Sequence, residues 1–166
     1  MVLDQFEGEL KNALEGCIAK FKNEKIFGDS NWTYGIKEAL ADLGKNKLNE
    51  ICTSGFTDKY NSEWLYDMVW YKENEKGQLI NIELVIESEW GSSMKNIKFD
   101  FEKLLLANSK YHLMICQAYF EDMAALNNYF KEAINCYQLN RIGDRYMIAI
   151  LDKREETFEY FVFVKI

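Results

Sequence analysis

Apolar residues in this chain recur at two spacings. Leu3, Phe6, Leu10, Leu14, Cys17, Ile18 and Phe21 follow at three- and four-residue steps, with lysines and glutamates between them. That predicts an amphipathic helix over residues 3–27. Gly28-Asp29-Ser30-Asn31 breaks it, and Asp29, Ser30 or Asn31 can cap a second helix over 32–43, striped by Ile36, Leu40 and Leu43 and stopped by Gly44. Residues 47–53 read equally as a short strand or a helix end, and 54–62 as a polar loop. From 63 to 72 the period drops to two: Trp64, Tyr66, Met68 and Trp70 alternate with Leu65, Asp67, Val69 and Tyr71. A turn over 73–78, carrying Asn74 and Gly77, joins this stretch to a second alternating one over 79–90, so a hairpin is expected.

Beyond the hairpin, Ser92 or Ser93 caps an expected helix over 93–108. Residues 111–120 (YHLMICQAYF) are almost continuously apolar, as in a strand buried on both faces. A helix over 122–137, spaced by Met123, Leu126, Phe130 and Ile134, precedes strands at 145–151 and 158–166 joined by the charged turn 152–156. The 79–90 strand, the 93–108 helix and the 111–120 strand make a βαβ crossover, which pairs two parallel strands inside a mixed sheet. The expected fold is α/β: a three-layer sandwich, with a central mixed sheet flanked by helices. One domain over 1–166 is expected, made of N-terminal helices (3–43), a core (63–120) and a C-terminal helix with two strands (122–166).

The 79–90 strand carries an unusual second face. Ile80, Ile82, Leu84 and Ile86 share one side, while Asn81, Glu83, Val85, Glu87 and Glu89 share the other. Residues two apart on a strand lie about 6.5–7 Å apart, so Glu87 and Glu89 can lean toward one point. Like charges that close raise each other's pKa or call for a cation. Asp67 falls opposite the 83–85 stretch in a tight hairpin, and pairing with Glu83 or Val85 puts it on the same face. Three such carboxylates suit a hard divalent cation, which takes oxygen ligands and keeps waters and substrate phosphates. A solvated sheet face explains the same letters without chemistry.

Charge and composition narrow the classes. Asp and Glu number 27 against 20 Lys and Arg, a net charge of −7, which excludes a strongly basic nucleic-acid binder and confines any such contact to a local patch. The four cysteines, Cys17, Cys52, Cys116 and Cys136, have no paired spacing, as expected of reduced thiols in a cytoplasmic protein rather than a zinc site. There is no signal-peptide pattern and no apolar run of bilayer-spanning length, so no membrane partner is expected. His112 has no evident nucleophile beside it and reads as structural. There is no glycine-rich phosphate loop, and the aromatics around Trp64 read as packing rather than a base-stacking platform. The aromatic strand at 158–164, if uncovered, offers an edge for a homodimer.

Asp67, then Glu87-Ser88-Glu89 after a turn, then a helix and a buried strand, resembles the core of the PD-(D/E)XK nuclease superfamily, the restriction-endonuclease-like fold. The resemblance covers roughly 64–120, with the 32–43 helix matching the helix that family places ahead of its core. It implies a Mg²⁺- or Mn²⁺-dependent phosphodiesterase acting on nucleic acid, with Asp67 and Glu87 as metal ligands and Glu38 as a further one. Glu89 stands where the motif has lysine; some restriction enzymes of this fold carry glutamate there. A lysine displaced to the following helix is another route: Lys103 shares a stripe with Asn96 and Asp100, from which it could reach the site or simply pair with Asp100. The alternatives are a catalytically inactive interaction or regulatory protein on the same scaffold, such as an inhibitor of a basic partner, or an acidic immunity-type protein on an unrelated α/β fold.

Overall fold

A computed structural model describes residues 2–26, 28–48, 50–53, 64–91 and 93–166. Among these residues it is an α/β protein with four helices and a mixed six-stranded sheet in the order β1-β2-β3-β4-β5-β6. The chain divides into two compact units, Val2–Glu83 and Leu84–Ile166.

In the first unit α1 spans Gln5–Glu24 and α2 spans Asp29–Lys47. A capping box starts α1: the Asp4 carboxylate accepts from Glu7 N–H, and the Glu7 carboxylate accepts from Asp4 N–H, both at 2.9 Å. The expected stripe is buried, with Leu10, Leu14, Cys17, Ile18 and Phe21 all inside. Gly44 does not stop α2, which runs on to Lys47. A Cβ at Gly44 would lie 2.7 Å from the Trp70 ring and 2.8 Å from Cys52 Sγ, so glycine is needed there for close packing rather than for a helix end. Strand β1 (Ile51–Thr53) pairs antiparallel with β2 (Met68–Glu73), which starts five residues later than its alternation predicts. Trp64 and Leu65 precede the strand and are exposed. Asn74 closes the hairpin turn through its side chain, accepting from Lys76 and Gln78 N–H at 3.0 Å. The expected 54–62 loop and Ser92 cap lie outside the described residues.

Strand β3 (Leu79–Glu89) leads into the second unit. Its alternation is legible only in part: Leu79 and Ile80 are exposed, while Leu84, Val85, Ile86 and Glu87 are buried on both faces. Helix α3 (Met94–Leu105) crosses to β4 (Tyr111–Ala118), which pairs parallel with β3 from Leu84–Tyr111 to Glu89–Cys116. All eight residues of β4 are buried, worth roughly 1.5–3 kcal/mol for each large aliphatic side chain. Helix α4 (Phe120–Cys136) makes a second crossover to β5 (Arg145–Asp152), parallel to β4, and β6 (Phe158–Val164) returns antiparallel. Phe101 of α3 centres the packing here, with Phe130 of α4 at 4.5 Å and Tyr146 of β5 at 6.2 Å between ring centroids.

All four cysteines are free. Burial pushes the Cys17 and Cys52 thiols up to about 12 and raises Cys116 as well; Cys136 is exposed. His112 is buried between the carbonyls of Arg145 and Ala107, its ring stacked 4.2 Å from that of Tyr146. That is the structural role expected of it.

Candidate functional site

The crossover from β3 to β4 fixes the centre of the candidate site. Glu87 is 1% exposed, on the carboxylate face but within the paired part of β3, opposite Met114. A carboxylate that deep costs several kcal/mol of lost hydration unless it is paired. Lys103 supplies the pairing: its Nζ lies 2.6 Å from Glu87 Oε1 and 3.5 Å from Asp100 Oδ1. Helix α3 can deliver it because Ile97, Phe101 and Leu104 face the core, leaving Asp100 and Lys103 along the flank of that buried stripe. Lys103 thus contacts Glu87 and Asp100 together. Burial lowers the lysine's proton affinity, but the hydrogen bond and charge of Glu87, with the charge of Asp100, outweigh it, and its pKa is raised above the usual lysine value. Lys103 also lines a groove of about 510 Å³ with Phe99, Leu106, Ala133, Cys136 and Tyr137, and its side chain is 32% exposed where that of Glu87 is 2%.

Glu89 is placed differently. Its Oε1 accepts from the N–H of Gly91 at the strand's exit, and a Cβ on Gly91 would meet that oxygen at 2.8 Å. The carboxylate thus closes the turn, rather than meeting Lys103 beside Glu87. Its charge is felt at Cys116.

In the first unit Asp67 stands immediately before β2. Its Oδ1 lies 3.0 Å from Lys37 Nζ, with the lysine side chain 9% exposed. The α2 residue that meets Asp67 is thus Lys37, next to Glu38, whose charge instead acts on Cys17. Lys37 is a residue the sequence expectations omit. The available signal was its position four and seven residues before Ala41 and Gly44, a row of small residues on the packed side of the helix where a lysine is out of place unless paired. A third pair, Lys72 Nζ with buried Glu50 Oε1 at 2.8 Å, lies between β2 and the start of β1.

Among the described residues, no group of three or more His, Cys, Asp or Glu is arranged to hold a metal ion. No helix among them is long and apolar enough to cross a membrane. The chain finds no match among protein-family models, curated proteins or solved structures.

Proposed function

We propose that this chain is a Mg²⁺- or Mn²⁺-dependent phosphodiesterase acting on nucleic acid, of the PD-(D/E)XK kind and with its three-layer, restriction-endonuclease-like sandwich. The observation that carries the reading is the 2.6 Å contact of Lys103 with buried Glu87. The motif's own lysine position holds Glu89, and α3 brings a lysine to the motif carboxylate instead.

The donors suit a hard cation: Glu87 offers only oxygen, and ions of this class keep waters and substrate oxygens when few carboxylates are available. When bound, the ion would activate water and stabilise charge on the scissile phosphate. Glu87 is held by the β3–β4 pairing and by Lys103, so its carboxylate needs little reorganisation. Lys103, with its raised pKa, stays protonated near neutrality. It therefore serves as a donor that orients water or a phosphate oxygen, and not as a general base.

Cleavage of plasmid, single-stranded DNA and structured RNA in Mg²⁺ or Mn²⁺, at low ionic strength because of the net charge of −7, tests this. Activity lost in both Glu87→Gln and Lys103→Met, with the folded state intact, supports it. Silence of the wild type on all three substrates overturns it.

One observation favours a second reading, an inactive interaction or regulatory protein on the same scaffold. The Glu50–Lys72 pair shows the same burial of a carboxylate against a lysine away from the motif residues, as expected if such pairs serve the fold alone.

A further inference from the structure

Strand β6 ends the sheet, and its pairing with β5 fixes which of its backbone groups face outward. Thr157 C=O accepts from Asp152 N–H, and Lys165 N–H donates to Asp144 C=O, each at 2.9 Å. Backbone groups alternate in direction residue by residue along a strand. The odd-numbered residues therefore spend their N–H and C=O on β5, while Phe158, Val162 and Val164 direct theirs away from it. No strand among the described residues pairs with that outer side. The devices that blunt an edge are scarce: the chain has no proline, and the β5–β6 register runs unbroken from Arg145–Val164 to Leu151–Phe158.

We propose that β6 is a self-pairing edge, joining two copies of this chain antiparallel about a twofold axis at Val162. Outward-facing groups then meet outward-facing groups. Val162 exchanges N–H···O bonds with its own copy, and Phe158 does so with Ile166 of the second copy, covering a residue that is 96% exposed in the single chain. Charge selects this register among those the backbone phase allows. It sets Glu159, exposed, directly across from Lys165 of the second copy, and symmetry repeats that contact on the other side of the axis. Sliding the pairing back by two residues puts Glu159 against Phe163 and Lys165 against Thr157, so both charge pairs are lost. Lys165 is already held at the sheet's end, its Nζ donating to the carbonyls of Ile134 and Asn135 at 3.2 and 3.1 Å. An ammonium has a third donor for the incoming carboxylate.

Sedimentation equilibrium across micromolar concentrations reads the result. The wild type is expected at twice the chain mass and Glu159→Lys at the single-chain mass. The charge swap Glu159→Lys/Lys165→Glu returns to the dimer, because it restores both contacts with reversed signs. Val162→Pro removes only an outward N–H, which an edge strand tolerates, and should also give monomers. Thermal melts identify the variants that fold. A monomeric wild type overturns the proposal, as does a dimer unmoved by Glu159→Lys and Val162→Pro, or a folded charge-swap protein that stays monomeric.

Discussion

Removing the ammonium from the Glu87–Lys103 pair should harm the fold more than removing the carboxylate charge. Lys103→Met keeps a side chain of similar length but removes the ammonium 2.6 Å from Glu87, which is 1% exposed. Breaking a buried pair from one side costs about 3–5 kcal/mol. The lysine side chain is 32% exposed, so water can reach the vacated side, which reduces the expected loss to about 2–3 kcal/mol. Glu87→Gln is milder. It keeps the shape of the side chain, and the lysine it leaves behind retains Asp100 at 3.5 Å and partial hydration, so about 1 kcal/mol is expected. Urea unfolding of both single variants and the double variant gives the coupling energy directly. Lys103→Met costing no more than Glu87→Gln would refute burial of the carboxylate as the reason for the pairing.

Three further outcomes follow from the packing. Burial holds the His112 pKa below 6.5, against the pull of the Arg145 and Ala107 carbonyls. The unfolded chain therefore takes up that proton first, so His112's contribution is complete above about pH 6.5 and is lost as pH falls toward the lower folded value; melting curves of His112→Phe should show a shallower acid slope than the wild type. Gly44→Ala gains about 1 kcal/mol of helix propensity but forces a methyl to within 2.7 Å of the Trp70 ring, and overpacking costs about 1–3 kcal/mol, so chemical unfolding should show a net loss or no gain. Asp4→Ala opens the capping box and should cost about 1 kcal/mol, read as a lower urea midpoint.

The β3-α3-β4 crossover was legible because each piece carries its own period: two for β3, 3.6 for α3, and an unbroken apolar run for β4. Gly44 was misread since a helix stop and a close contact place the same letter at the same spot, and only Trp70, 26 residues on, distinguishes them. The start of β2 was overextended because Trp64 and Leu65 continue the alternation while lying exposed; alternation records residue types, not where strand pairing begins, and Trp64 meets the strand through its ring on Tyr71, 4.7 Å between centroids. The stripe carrying Asp100 and Lys103 was visible, but the contact with Glu87 depends on how far α3 rotates against the sheet, which is set by Phe101 packing on Phe130 and Tyr146. The Lys72–Glu50 and Lys37–Asp67 pairs of the first unit follow from contacts between residues 22 and 30 positions apart, beyond the reach of any local period.

The four cysteines make the chain its own opening probe. A thiol with a raised pKa in a dry interior reacts with alkylating reagents only when its surroundings open. Cys17 and Cys52 lie in the first unit and Cys116 in the second, and each is identified by mass after digestion. Cys136, exposed at the end of α4, reacts first and calibrates the reagent within the same molecule. Trapping rates at the three buried thiols therefore measure the opening free energy of each unit separately, in the native protein and without a single substitution. Equal rates at all three would mean that the two halves unfold as one cooperative body; a faster pair in the first unit would rank it as the looser of the two.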